Sequence, residues 1–248
     1  MDLTIIYEDS DILVVDKPAG LVVFPEGEIT GEKTLVDFLM EKYPEIKNAG
    51  PAPRYGIAHR LDKNTSGILL VAKNASTLEF LQNQFSRGVQ ALNHEKSVLP
   101  LEKMLEKKYI TLVCGSVKND QGIIHTLMGR SKSDPRKQTA HSLGYTGKSG
   151  LREAITEYTV LKRFTDYTLL EVKIKTGRKH QIRCHMAYLK HPVAGDNLYG
   201  FKDSPKIDGL TRQFLHASEI TLPLPSGQIK KFQSHLPEDL EKILNELT

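Results

Sequence analysis

The spacing of apolar and polar residues predicts a series of strands interrupted by a few helices. An uncharged apolar run at residues 68–72 indicates a buried strand, and alternating apolar and charged residues at 170–175 indicate a strand with one buried face. Apolar runs of similar length lie at residues 12–15, 109–114 and 155–164. Because these strands have few helices between them, the pattern predicts an α+β fold with a mixed, mostly antiparallel central sheet flanked by helices and loops.

Apolar residues at helical spacing predict four helices. The first begins after Thr34, which with Asp37 resembles a capping box, and ends at Pro44. The other three are predicted at residues 76–87 with Gly88 as the end, in the stretch after Arg178, and at residues 237–245. Glycine, serine and lysine are frequent in residues 129–150, which predicts a long mobile loop.

The length allows one large domain or two subdomains, and no break in composition divides the chain, so we expect one domain over residues 1–248, with residues 88–107 as a possible polar insertion. No apolar run has the length of a membrane span, and the N-terminus lacks the basic region of a secretory signal. Two cysteines do not suggest a disulfide framework. We therefore expect a cytoplasmic protein with no membrane association.

The distribution of charge is more informative than its sum, because a net charge of +4 is only mildly basic. Between Lys173 and Lys190 there are lysines and arginines but no acidic residue. A second basic segment contains Arg130, Lys132, Arg136 and Lys137. Either segment could be an ordinary solvated surface, but two of them in one chain favour an anionic partner.

The segment of residues 59–67 places one carboxylate, Asp62, directly before the apolar run at 68–72. A rigid strand could hold this carboxylate in a fixed direction. Asp62 could equally be a turn residue, since aspartate commonly bonds to its own backbone and residues 65–67 have ordinary turn composition. Local reasoning leaves both interpretations open.

Several reaction classes lack their motifs. Neither a P-loop nor a dinucleotide-binding glycine pattern is present, nor the Gly-x-Ser-x-Gly turn of many hydrolases. His180 and His185 are five residues apart, whereas a zinc-binding pair on a helix is separated by four. The sequence therefore predicts no cofactor and no metal.

Arg183 stands out within residues 176–185. It follows Ile182, which marks the buried face of the predicted helix, so we expect Arg183 to be neither fully buried nor fully exposed. An arginine in that position can meet a carboxylate in a cleft and keep it ionised. The alternative is an ordinary surface arginine.

The segment at residues 59–67 resembles the signature of the RluA-type pseudouridine synthases. Further segments are similar to that family in the same order, and the similarity extends over roughly residues 3–240. These segments lie at residues 11–20, 108–109, 154–156, 176–183, 191–200 and 215–217.

The resemblance implies isomerisation of uridine to pseudouridine in RNA. The bond between ribose C1′ and uracil N1 breaks, the base rotates, and C5 bonds to C1′, without a redox change. It implies that Asp62 is the catalytic aspartate, as nucleophile or as base, that Tyr109 packs against the flipped-out base, and that Arg183 pairs with Asp62.

Further residues are expected to bind substrate. Arg60 is a candidate for contacting RNA or for filling the space left by the flipped nucleotide. The remaining candidates are His59, Thr65, Arg178, His180, Lys132, Arg136 and Lys137. The expected partner is ribosomal or transfer RNA, bound by a monomer, and the comparison with the family predicts a catalytic domain with no separate N-terminal RNA-binding module. A non-catalytic RNA-binding or RNA-chaperone protein on the same scaffold is the alternative, and a nucleoside or glycoside hydrolase is a third.

Overall fold

The computed structural model describes residues 3–25, 31–90, 105–147 and 149–247. They form two compact units. The first unit comprises Met1–Leu105 and Ala217–His235, and the second unit comprises Glu106–His216 and Leu236–Thr248. The single domain and the insertion at 88–107 remain predictions, and most of that insertion lies outside the described residues.

The described residues contain ten strands and four α-helices. The strands are β1 (Thr4–Glu8), β2 (Ile12–Lys17), β3 (Ser66–Ala72), β4 (Glu106–Cys114), β5 (Gln121–Arg130), β6 (Gln138–His141), β7 (Arg152–Arg163), β8 (Tyr167–Ile174), β9 (Leu215–Pro223) and β10 (Ile229–Gln233). The helices are α1 (Leu35–Lys42), α2 (Ala75–Gln90), α3 (Gln181–Tyr188) and α4 (Glu238–Glu246), and a short 3-10 helix spans Pro44–Asn48. Each described strand register is antiparallel, which confirms the predicted α+β class with a mostly antiparallel sheet.

The first unit is built around β2 and β3, which pair antiparallel from Ile12 with Ala72 to Lys17 with Gly67. Almost every residue of both strands is buried, which explains why the sequence shows continuous apolar runs there instead of alternation. Strand β1 pairs with β2, and β10 pairs with β9. The core contains Ile12, Val14, Leu70, Leu81 and Ile220 among others.

The second unit orders its strands β4-β8-β7-β5-β6. The predicted loop at residues 129–150 is wrong in its first part, because β5 continues to Arg130 and β6 pairs with it. Contacts distant in sequence hold β6: the Gln138 N–H donates to the Tyr199 hydroxyl (2.7 Å), and the Cys184 thiol donates to the Gln138 carbonyl (3.4 Å). Local composition could not reveal these partners.

The helix predictions differ in their outcome. Helix α1 is confirmed: the Thr34 N–H and hydroxyl both donate to the Asp37 carboxylate (2.8 and 2.7 Å), and Pro44 begins the 3-10 helix that follows. The predicted end of the second helix is wrong, because α2 continues through Gly88 to Gln90. A glycine in a helix costs only about 1 kcal/mol relative to alanine, so it does not always end one.

In the described part of the chain, no helix combines the length and the hydropathy that crossing a membrane requires. The same residues contain no group of three or more His, Cys, Asp or Glu side chains arranged to hold a metal ion.

Candidate active site

Asp62 lies on a tight turn at the entrance to β3. The Thr65 N–H donates to the Asp62 carbonyl (3.0 Å), so Lys63 and Asn64 form the exposed tip while Thr65 is buried. The Asp62 side chain itself is only partly buried. The turn interpretation therefore describes the backbone, and it leaves the carboxylate accessible to a substrate.

A buried lysine anchors this turn. Lys17, at the end of β2, is fully buried, and its ammonium group donates to the carbonyls of Pro18 (2.7 Å), Leu21 (2.9 Å) and Lys63 (3.0 Å). The Lys63 carbonyl also accepts the Gly20 N–H (2.9 Å). An ammonium group has three N–H donors, and these carbonyls offset the cost of burying its charge. The residue after Asp62 is thereby fixed to the loop that follows β2.

Gly67 closes the turn against β9. Its φ angle is +111°, and a Cβ atom there would lie 2.2 Å from the Ala217 carbonyl oxygen. Only glycine fits a backbone of that conformation at that distance. The turn composition of residues 65–67 therefore has a second cause, which is the close approach of a neighbouring strand.

His59 and Arg60, which come shortly before Asp62 in the chain, have different surroundings. His59 Nε2 accepts the Leu70 N–H (3.0 Å), and its ring packs on Phe85 at 4.7 Å, so His59 ties the segment to β3. Arg60 lies at the surface with its guanidinium carbon 5.3 Å from the centre of the Phe24 ring. Partial burial lowers the pKa of Arg60, and the charge of Asp62 raises it.

In the second unit, Tyr109 is buried on β4 opposite Val172 of β8. Lys107, two residues earlier, faces the same side of the strand. Burial of its ammonium group lowers the pKa of Lys107 to about 8. The sequence analysis did not identify this lysine with a lowered pKa near the candidate base-stacking tyrosine, and its only sequence signal is its place in a Lys-Lys-Tyr segment.

Arg183 is buried, contrary to the expectation of partial exposure, because it forms a bidentate ion pair with Asp196. Its Nε and Nη2 atoms lie 2.6 and 2.8 Å from the two carboxylate oxygens. Burial would raise the pKa of Asp196, but its hydrogen bonds and the charge of Arg183 lower it overall. Asp196 also accepts the N–H groups of Leu198 and Tyr199. A pairing of Arg183 with Asp62 remains a prediction.

Asp196 is a second residue that sequence reasoning missed. The segment at residues 191–200 contributed to the family resemblance, but nothing in its spacing identified a partner for Arg183. The Tyr199 ring adds a further contact, with the Arg183 guanidinium carbon 5.2 Å from the ring centre.

A buried polar network fixes the start of α3. Gln181 accepts from the Thr176 hydroxyl (2.7 Å) and donates to Thr156 Oγ1 (3.0 Å). His185 is completely buried, with its ring nitrogens 2.8 Å from the hydroxyls of Thr126 and Thr156. Burial, with a smaller contribution from the charge of His125, lowers the pKa of His185 to about 4. Its ring is therefore neutral near pH 7, and it orients the helix that carries Arg183.

Arg178 and His180 are bound to neighbouring protein groups. Arg178 Nε donates to the Glu153 carbonyl (2.9 Å), and its backbone N–H donates to the Gln181 side chain (3.0 Å). His180 has a positive φ of 55° directly before α3, and its Nδ1 atom lies 3.1 Å from the Tyr199 hydroxyl. Their roles as substrate-binding residues remain predictions.

The basic segment between β5 and β6 is a short connection at the surface. Arg136 forms a bidentate pair with Asp134 (3.0 and 2.8 Å), which lowers the pKa of Asp134 to about 2. Lys132 is exposed, and the Lys137 ammonium group lies 5.9 Å from the centre of the Tyr199 ring. The positive charge of this segment is therefore partly offset by Asp134.

Comparison with known proteins identifies the family. The profile of the family described as RNA pseudouridylate synthase matches residues 11–188. An uncharacterized RNA pseudouridine synthase of Bacillus subtilis is 39% identical over 249 residues, which cover 100% of this chain and 73% of that protein. A ribosomal large subunit pseudouridine synthase D of Borreliella burgdorferi is 36% identical over 241 residues, covering 95% of this chain and 66% of that protein.

A solved structure supports the same family assignment. Human RNA Pseudouridylate Synthase Domain Containing 1 superposes with a TM-score of 0.70 at 25% identity, covering 95% of this chain and 84% of that chain. The resemblance seen in the sequence is confirmed, together with the reaction class that it implies. The chain belongs to the RNA pseudouridylate synthase family, whose members are isomerases.

Proposed function

We propose that this chain converts uridine to pseudouridine at specific positions in structured RNA, with Asp62 as the residue that acts on the ribose or base of a flipped-out nucleotide. The observation that carries the proposal is the Asp62 turn: its backbone is fixed on both sides, and its carboxylate is left partly exposed. A protein that only binds RNA needs positive charge and stacking surfaces, but it does not need an anchored acidic group.

Tyr109 and Arg183 serve the same reaction in this proposal. A buried aromatic ring on a rigid strand suits a base taken out of the stack, because ring contact replaces part of the lost stacking. Arg183 brings a permanent positive charge that opposes protonation of a carboxylate when RNA excludes water. Asp196 holds that guanidinium in one orientation.

The substrate proposed for the first test is large-subunit ribosomal RNA, because that is the RNA named for several relatives. Transfer RNA is the second substrate to test. The chain acts as a cytoplasmic monomer in this proposal, with RNA as its partner.

The experiment is nucleoside analysis of unmodified ribosomal and transfer RNA transcripts after incubation with purified protein. We expect pseudouridine with the wild type and none with Asp62→Asn, which is nearly isosteric and should bind RNA with nearly unchanged affinity. Pseudouridine formed by Asp62→Asn at the normal rate would contradict the role of Asp62. RNA binding without pseudouridine from the wild type would favour the non-catalytic alternative, and released uracil would favour a hydrolase.

A further inference from the structure

Two arginines of the first unit share one aromatic ring beside the Asp62 turn. The guanidinium carbon of Arg54 lies 4.7 Å from the centre of the Phe24 ring, and that of Arg60 lies 5.3 Å from it. Both arginines are exposed, while Phe24 is only 4% exposed. The ring is therefore a fixed support against which the two charged groups pack at the surface of the unit.

Backbone hydrogen bonds hold Phe24 in place. The carbonyls of the two preceding residues, Val22 and Val23, accept the N–H groups of the first two residues of α1 at 2.8 and 3.0 Å. A ring carried by a segment bonded in this way keeps its position when a ligand binds.

The backbone of Arg54 is fixed as well. Its N–H donates to the Pro51 carbonyl (3.2 Å), and its carbonyl accepts the Ile57 N–H (3.0 Å). Gly56 allows this segment to lie against β3, because a Cβ atom there would be 2.0 Å from the Ala72 carbonyl oxygen. The same approach to β3 positions residues 59 and 60, through the bond between His59 and the Leu70 N–H.

The two guanidinium groups lie within about 10 Å of each other, since both contact the same ring, and this is about one Debye length at 0.1 M salt. Two positive charges at or below this separation repel each other, and the repulsion is strongest at low salt. Among the residues that the structure describes, no carboxylate forms an ion pair with Arg54. Asp62 influences Arg60 electrostatically. An anion bound between the two groups would relieve this repulsion.

We propose that Arg54 and Arg60, supported by Phe24, form a binding site for a phosphodiester group of the RNA backbone close to the nucleotide on which Asp62 acts. The inference rests on the proposed function, and it assigns Arg54 and Phe24 a role that sequence reasoning did not. Arginine suits such a site because its planar fork can stack on a ring and still donate two N–H groups to phosphate oxygens. A lysine in the same place would provide charge without that geometry.

The test measures RNA binding in the Asp62→Asn background, so that turnover does not change the probe. The probes are unmodified transcripts of large-subunit ribosomal RNA and of transfer RNA, titrated at several KCl concentrations. We expect Arg54→Gln to weaken binding roughly tenfold. The slope of log affinity against log salt should decrease by about 0.7, the value for one lost phosphate contact on single-stranded RNA. Arg54→Lys should restore most of the slope but only part of the affinity.

Lys47→Gln is the matched control, because it removes one exposed positive charge from the same unit outside this site. Phe24→Leu keeps an apolar side chain but removes the ring face, and we expect a smaller loss of affinity than with Arg54→Gln. Thermal denaturation of each variant separates loss of binding from loss of folding.

The outcomes separate this inference from the proposed function. If Arg54→Gln binds RNA with the same affinity and salt slope as Lys47→Gln, the phosphate site is wrong even if the wild type forms pseudouridine. If the wild type binds RNA without forming pseudouridine, the proposed function fails. In that case the affinity and salt slope of Arg54→Gln still decide whether the phosphate site is correct.

Discussion

The two units hold their candidate catalytic residues in opposite ways. In the first unit the backbone around Asp62 is fixed, by Lys17 and by the turn, while the carboxylate stays partly exposed. In the second unit the side chain of Arg183 is itself buried and held by Asp196. A group that must react has to be reachable, whereas a group that supplies a fixed charge can be buried and paired.

This difference implies that substitutions in the two units should affect stability and activity to different degrees. Changes to Asp62 should remove chemistry with little effect on folding, whereas changes around Arg183 should affect folding first. The following experiments test that difference, in order of expected effect.

The largest effect on stability is expected from Asp196→Asn. It leaves the buried Arg183 guanidinium without its anionic partner, and breaking a buried ion pair typically costs about 3–5 kcal/mol. Asp62→Asn, the same chemical change in the first unit, should cost less than about 1 kcal/mol. Urea denaturation of both variants gives the two free energies of unfolding. Exposed Asp203→Asn is the control, and equal losses for Asp62 and Asp196 would contradict the comparison.

Lys17→Met should lower the free energy of unfolding by about 2–4 kcal/mol. The substitution keeps most of the side-chain volume but removes the ammonium donor from three carbonyls, of which that of Lys63 keeps the Gly20 N–H. Lys63→Met is the control, because the Lys63 side chain is about half exposed and pairs only with exposed Glu32 in the described contacts. Pseudouridine formation should fall further for Lys17→Met than its loss of stability explains, since the Asp62 turn loses its anchor. Unchanged activity in a folded Lys17→Met protein would show that the anchor is unnecessary.

His185 should make the protein sensitive to acid. Its pKa is about 4 in the folded protein against an ordinary value of 6.5, so below pH 6.5 the unfolded chain binds a proton that the folded protein does not. The stability contributed by the neutral ring is complete above pH 6.5 and is lost as the pH falls through 4, up to about 3 kcal/mol in total.

The measurement is the free energy of unfolding between pH 4 and 7. His185→Gln should remove most of this slope, whereas exposed His235→Gln should retain it. A wild-type slope that persists in His185→Gln would assign the acid sensitivity to other groups.

The smallest effect is expected at the basic segment between β5 and β6. Replacing Lys132, Arg136 and Lys137 by glutamine should weaken RNA binding and reduce its salt slope by up to about 2, with no loss of stability. The reduction will be smaller if Asp134 already neutralises Arg136 in the complex. Neutralising exposed Lys202 and Lys206 is the control, and an unchanged slope in the triple variant would show that this segment does not contact phosphate.

The sequence by itself determined the family, the fold class and the core strands. Continuous apolar runs predicted β2 and β3 because both strands are buried along their length, and the segments around residues 59–67 and 176–183 identified the chemistry. Such features are local, because burial of a strand or the geometry of a turn restricts which residue types can occur at consecutive positions.

Only the tertiary structure decided which groups hold the candidate residues. Arg183 pairs with Asp196 at a sequence separation of 13 residues, Lys17 reaches the Lys63 carbonyl across 46 residues, and His185 contacts Thr126 across 59 residues. It also decided that β6 is a strand and that Gly88 continues α2. Hydrogen bonds and ion pairs of this kind depend on where the backbone brings two segments together, and the order of residues in either segment carries no record of that distance.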